Sequence, residues 1–320
     1  MKQNRFGRTE LQIPAVTFGG GWVGGVLIHG DAATANAALD LAWGAGIDWI
    51  DTAAMYGNGA SETVIGRWLA GRAPDQRPRL STKFRVDPGE PDLPGQMRDS
   101  VQASLKRLGV DRVDVIILHN QIGEEFGFDA NAARRMADEM QALRNDGLCS
   151  HIGMTALGDP ASLHEVVNAG PFDVAQVYYN MLNPTALQGR DPWNSTNFDG
   201  LLRRCQDQDM GVMGIRIFAA GHLATDQRHG REIPITDRSQ NDDEETRARA
   251  VWNCLSVDDG TPAQAALRFG LACPELSTIV VGLGEIAHLR EVIGAEAMGP
   301  LSKDVLARIG EVWSTPAFTD

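Results

Sequence analysis

Seven short apolar runs, separated by stretches of amphipathic helical period, constrain this chain more than any other feature. The runs are Ile47–Ile50, Arg79–Thr82, Val113–Leu118, His151–Met154, Val174–Tyr178, Gly211–Ile215 and Thr278–Val281. Helical patterns lie around and between them at Ala32–Trp43, Ser61–Leu69, Met97–Leu108, Ala130–Arg144, Pro160–Val167, Leu201–Gln208, Ala263–Leu271 and Glu285–Ile293. In Ser61–Leu69, the residues Val64, Ile65, Trp68 and Leu69 share a face, Ser61 reads as the N-cap and Gly71 as the stop. Strands that alternate with helices build a parallel sheet.

Closing that sheet needs an eighth strand, which Ala15–Phe18 supplies ahead of Gly19-Gly20-Gly21. Residues Arg5 to Ile13, with Gly7-Arg8 at their centre, then read as a hairpin outside the barrel. The count predicts an α/β fold, a (β/α)8 TIM barrel forming one domain over residues 1–320. Such a barrel takes about 250 residues, so roughly 70 remain for the hairpin, long loops and extra C-terminal helices. The loops fall at Gln121–Asp129, Asn183–Phe198 and Phe218–Glu245, and the last helix at Lys303–Trp313. No G-x-G-x-x-G follows an early strand, which argues against a doubly wound open sheet.

Charge and cysteine usage narrow the partners. Twenty-nine basic against 42 acidic residues give a net charge of −13, the wrong sign for a nucleic-acid or anionic-membrane surface. The balance is compatible with a small-molecule substrate without requiring one, and the oligomeric state is left open. Cys149, Cys205, Cys254 and Cys273 have no metal-ligand spacing, so reduced structural thiols and no metal are expected. The N-terminus carries no apolar leader, and no run reaches the roughly 18 to 20 apolar residues of a membrane span. Cytoplasm is the expected location.

In a βα barrel, side chains at the C-terminal strand ends point into the site. Here these are Asp51, Lys83, His119 and Thr155, while Gln176 and Asn180 bracket the next strand and Tyr56 follows Asp51 on the same loop. A free phenol ionises near pH 10, too high to exchange protons readily at pH 7. A neighbouring ammonium favours the phenolate, and a carboxylate holds that ammonium charged and in place. Asp51, Lys83 and Tyr56 form such a relay, and a neutral His119 would orient a carbonyl oxygen. Singly, each has an ordinary explanation: a helix cap, a solvated charge, a core imidazole. Four compatible groups at consecutive strand ends are hard to explain as solvation.

At these residues the sequence resembles the aldo-keto reductase superfamily, and most closely its bacterial sugar and small-aldehyde members. Gly46-Ile47-Asp48-Trp49-Ile50-Asp51-Thr52-Ala53-Ala54-Met55-Tyr56-Gly57, then Ser61-Glu62 and Gly66, is similar to that family's signature. Ser81-Thr82-Lys83, Asp114 to His119, Ile152 to Thr155, Gln176 to Asn180 and Ile279 to Gly282 follow in the family's order. The resemblance implies NAD(P)-dependent hydride transfer between a carbonyl and an alcohol, or an aldose and its lactone. It implies Tyr56 as general acid or base, Asp51 and Lys83 tuning it and His119 orienting the substrate. Gly20, Gly21 and Trp22 match the first loop beside the nicotinamide ribose, with Trp22, Tyr56 and His119 facing substrate. Thr155 and Gln176 match the carboxamide contacts; Arg216, Ile217 and Phe218 match the segment along the pyrophosphate; Gly282, Gly284, His288 and Glu291 match the adenosine end.

Two departures bear on the cofactor. Ile215 stands where an aromatic commonly stacks on the nicotinamide, with Arg216 after it. Gly284 and His288 stand where the family often places side chains that hold a 2′-phosphate, and an imidazole is mostly neutral at pH 7. With Glu285 adjacent, the pattern favours NAD(H), or dual use, over NADP(H) alone. The rival function is a non-catalytic or slow cofactor-binding sensor or subunit of the same fold. A cofactor-free lyase using Lys83 as a Schiff base is a third.

Overall fold

The structure, a computed structural model, describes residues 1–21, 23–189, 193, 195–228, 230 and 241–314. Two short antiparallel strands, β1 (Gln3–Arg5) and β2 (Gln12–Pro14), form the N-terminal hairpin around a 3-10 turn at Gly7–Thr9. Eight parallel strands follow: β3 (Val16–Gly19), β4 (Trp49–Asp51), β5 (Arg79–Phe84), β6 (Val113–Leu118), β7 (Cys149–Ala156), β8 (Val174–Tyr178), β9 (Gly211–Ile215) and β10 (Thr278–Gly282). They close into a barrel in chain order, β10 pairing with β3. The (β/α)8 expectation holds, eighth strand included.

Side chains on a strand alternate between faces, and that parity sorts the barrel. Outward residues such as Ile116, Leu118, Ile152, Met154 and Val177 join the layer packed against the surrounding helices. Inward residues Trp49, Val115, Ile117, Val174 and Met213 form a separate apolar cluster inside the barrel. The hairpin completes this cluster from below with Phe6 and Ile13, and the Phe6 ring meets Trp49 edge-on at 5.2 Å. Arg8 ties the hairpin on, donating to the carbonyls of Gly170, Phe172 and Gln208. The N-terminal end of the barrel is therefore plugged, and any site must open at the other end.

The same parity carries upward. One inward step beyond Trp49 comes Asp51, beyond Ser81 comes Lys83, beyond Ile117 comes His119, beyond Gly153 comes Thr155, and beyond Val174 comes Gln176. The register staggers them, with Asp51 opposite Ser81 and Lys83 opposite Ile117, each one inward step below the next strand's member, while Thr155 and Gln176 are level. A polar layer thus sits on an apolar one at the C-terminal mouth.

The helices differ from expectation in several places: short helices stand at Val26–His29 and Thr185–Gln188, the helix ending at Leu108 begins at Leu93, and two further differences concern Ser61 and Asn241–Asn253. Helix Ala60–Ala70 begins at Gly59, whose φ of +86° makes the turn, so Ser61 is not its cap. Ser61 is instead fully buried, its hydroxyl 2.9 Å from that of Thr52. A helix at Asn241–Asn253 lies partly inside the expected Phe218–Glu245 loop, where the sequence reading placed none. The C-terminal helix spans Lys303–Trp313 as expected.

Candidate active site

The loop after β4 carries Tyr56 and is fixed to β5 by its backbone. Thr52 N–H donates to the Ser81 carbonyl at 2.9 Å and Ala54 N–H to the Lys83 carbonyl at 3.0 Å. The Thr52–Ser61 hydroxyl contact closes the loop onto the helix behind it. Tyr56 is thereby held half-buried over the end of β5. The Lys83 amine, buried at 2% exposure, donates to Asp51 Oδ2 at 2.5 Å, to the Thr52 carbonyl at 2.8 Å and to the Tyr56 hydroxyl at 3.1 Å. Burial opposes charge on Lys83, but the Asp51 carboxylate and the Tyr56 phenol outweigh it and hold the amine above the ordinary lysine value.

His119 faces Tyr56 edge-on with ring centroids 6.3 Å apart, and its Nδ1 lies 2.8 Å from Thr155 Oγ1. Its backbone N–H donates to the Phe84 carbonyl, and the next residue, Asn120, clamps both backbone groups of Val86. Burial, then the charges of Lys83 and Arg85, push the imidazole down to about 3. It is therefore neutral at working pH. An ordinary imidazole ionises near 6.5, so the unfolded chain takes up this proton first as pH falls. The stability that His119 contributes is whole above pH 6.5 and is lost between there and about 3. Wild type should lose stability in that window more steeply than His119→Asn, by up to about 1.4 kcal/mol per pH unit. Denaturant unfolding of both proteins at pH 7, 6 and 5 measures the difference, and parallel curves would count against the buried neutral ring.

Of the residues matched to a cofactor, Gly21 lies where a Cβ would stand 3.7 Å from Tyr56 Cζ, so a side chain would fill the space beside the phenol. A Cβ on Gly20 would overlap Ser61 Oγ. Trp22 lies outside the described residues. Gly24, inside the Trp22–His29 segment expected to contact substrate, crosses the backbone of Gly282–Leu283 so closely that no side chain fits, and Val26 N–H donates to the Leu283 carbonyl at 2.9 Å. The first loop is thus docked on the end of β10. Gly284 sits beneath the Gly24 carbonyl and beside the His288 ring. Helix Ile286–Met298 starts there with no side-chain cap bond from Glu285. Glu291, by contrast, accepts from the Thr261 hydroxyl at 2.9 Å, at the cap of helix Pro262–Leu271.

The segment after β9 stores backbone strain. Arg216, Ala219 and Ala220 take φ of +59°, +45° and +57°, values that residues with a Cβ seldom adopt. Buried Asn180 holds the turn by donating to the Arg216 carbonyl at 2.9 Å. Burial lowers the Arg216 guanidinium from its ordinary value against the pull of Tyr178, Tyr56 and Glu244. Ile217 is buried against helix Pro262–Leu271, while Phe218 is partly exposed. Gln176 donates its amide to Asp51 Oδ1 at 2.8 Å, so the residue matched to the carboxamide also touches the relay. Among the described residues no cluster of His, Cys, Asp or Glu could hold a metal.

A model of the aldo/keto reductase family matches residues 15–314. The chain belongs to that family. The aldo/keto reductase relatives include the L-galactose dehydrogenase of Arabidopsis thaliana, 27% identical over 297 residues and covering 90% of this chain and 86% of that protein. The D-threo-aldose 1-dehydrogenase of a Pseudomonas species is 28% identical over 312 residues, covering 88% of each. The holo form of an aldo-keto reductase from Bacillus halodurans superposes with a TM-score of 0.75 at 19% identity, over 98% of this chain and 96% of that one. This aldo/keto reductase is accordingly an NAD(P)-dependent oxidoreductase acting on a small carbonyl compound or its alcohol. No helix among its described residues is long and apolar enough to cross a membrane.

Proposed function

We propose that Tyr56 exchanges the proton in this reaction, with Lys83 and Asp51 governing the phenol and His119 holding the substrate oxygen. One observation carries the reading: the Lys83 amine, buried with Asp51, bridges Asp51 and Tyr56 at 2.5 and 3.1 Å. In reduction, Tyr56 gives its proton to the carbonyl oxygen, and the Lys83 charge steadies the phenolate left behind. Oxidation runs the same path backwards. A Thr155 hydroxyl that donates to His119 Nδ1 leaves the ring proton on Nε2, where it donates to the substrate oxygen. The bound nicotinamide supplies or takes the hydride. Gly20, Gly21, Thr155 and Gln176 would hold its reactive end, the Arg216–Phe218 turn the pyrophosphate, and Gly282, Gly284 and His288 the adenosine end.

The substrate class we favour is an aldose oxidised at its anomeric carbon to a lactone, with simple aldehydes second. The sugar dehydrogenases among the relatives support it. The family generally uses NADP(H). In this chain Gly284 has no side chain to offer a 2′-phosphate, and Glu285 at the helix start would repel one. NAD(H), or dual use, is the expected preference. Values of kcat/KM for a panel of aldoses, aromatic aldehydes and diketones, with both cofactors at pH 6 and pH 8, test both parts. Aldoses should lead, with NAD(H) at least within tenfold of NADP(H). A hundredfold NADP(H) preference that persists at pH 8 overturns the cofactor assignment and points to Arg290, a cation on the same helix Ile286–Met298 as His288; a panel with no aldose turned over overturns the substrate class.

A further inference from the structure

We infer that Ser81, aligned by Trp49, is a positioning residue for the proton relay: it acts through Asp51 to set how readily Tyr56 ionises. This rests on the reading of Tyr56 as the proton-exchanging group. The observation is a line of buried hydrogen bonds entering the relay from the barrel interior. Trp49 Nε1 donates to Ser81 Oγ at 3.2 Å, and the Ser81 hydroxyl, its proton thereby directed, donates to Asp51 Oδ1 at 2.7 Å. Gln176 donates to the same oxygen at 2.8 Å, while Oδ2 takes Lys83. Trp49 and Ser81 are fully buried, and Trp49 is wedged against Phe6 of the hairpin plug.

Ser81 is a polar residue at an inward position of the barrel, one parity step below Lys83, where packing alone would favour an apolar side chain. Its hydroxyl has a task there. A donor on Oδ1 draws negative charge away from the oxygen facing Lys83 and fixes the carboxylate plane, so the ammonium stays aimed at the phenol. Removing that donor concentrates charge on the carboxylate, strengthens its hold on Lys83 and makes the potential at Tyr56 more negative. A phenolate at that point becomes harder to form. The hairpin outside the barrel thereby touches the chemistry, through Phe6, Trp49 and Ser81, although it lies at the opposite end from the substrate.

A spectroscopic titration reads this without turnover. The chain has three tyrosines, and burial pushes Tyr178 and Tyr179 upward. The phenolate absorbance of a protein minus that of its Tyr56→Phe counterpart therefore isolates Tyr56. Ser81→Ala should move the Tyr56 midpoint upward by about half a pH unit or more, and lower kcat for oxidation about tenfold with little change in cofactor KM. Trp49→Phe, which keeps a ring against Phe6 but removes the donor to Ser81, should move both the same way by a smaller amount. Ser81→Thr, which keeps the hydroxyl, should restore the wild-type midpoint. A midpoint unmoved in both Ser81→Ala and Trp49→Phe overturns the inference. Should Tyr56→Phe itself retain wild-type turnover, the reading of Tyr56 fails, a result separable from any shift of midpoint. If Ser81→Ala does not fold, the Trp49→Phe midpoint decides alone.

Discussion

Tyr56→Phe should lower kcat by about 10² to 10⁴ while leaving the melting temperature and the cofactor affinity close to those of wild type. The hydroxyl is the only group lost, and among the described residues its hydrogen bond is the 3.1 Å one from Lys83. Tyr56 is half-buried at the mouth, so the ring that remains keeps its packing and its place above the Lys83 amine, 4.7 Å from the ring centroid. Removing a positioned proton donor costs the transition state far more than the ground state, so kcat and kcat/KM should fall together. Steady-state kinetics with fluorescence titration of the cofactor separates these quantities. Turnover within tenfold of wild type would remove Tyr56 from the chemistry.

Lys83→Met should fail in activity to a similar degree and, unlike Tyr56→Phe, should also unfold more easily. The amine makes three hydrogen bonds inside the protein and neutralises a carboxylate that is itself buried. Breaking a buried ion pair from one side leaves the other charge stranded, at a cost of about 3 kcal/mol or more. The donors from Ser81 and Gln176 to Asp51 keep the loss from growing larger. Adding Asp51→Asn to Lys83→Met should recover part of the stability and none of the turnover. Denaturant midpoints of the three proteins check this. Equal stability of wild type and Lys83→Met would mean that the pair contributes nothing to the fold.

The sequence carried the barrel and the relay for one physical reason. A parallel barrel forces apolar runs at regular intervals, and the first inward polar residue after each run must enter the mouth. Asp51, Lys83, His119 and Thr155 could therefore be read from position alone, because parity needs no knowledge of the rest of the chain. Ser81 obeys the same parity, but a serine inside an apolar run looks like a tolerated small residue. Only the register, which sets it opposite Asp51, gives it a partner. Gly59 displaced Ser61 as the helix start because a left-handed glycine caps a helix without any side-chain oxygen. The helix at Asn241–Asn253 is hard to see in the sequence because its first turn, Asn241 to Glu244, is polar throughout and shows no apolar period. The bond that Glu291 accepts from Thr261, 30 residues away, is likewise one that no local pattern reports.

Single-turnover hydride transfer tests the central claim most directly. The protein is loaded with oxidised nicotinamide and mixed with an excess of aldose, carrying either hydrogen or deuterium on the anomeric carbon, and the reduced-nicotinamide absorbance is followed in a stopped-flow instrument. Full reduction of the bound cofactor in one exponential, slowed by deuterium and abolished in Tyr56→Phe, is the expected result. Cofactor that binds tightly but is reduced no faster than in the Tyr56→Phe protein would contradict it, and would mark the chain as a cofactor-binding sensor built on a catalytic fold.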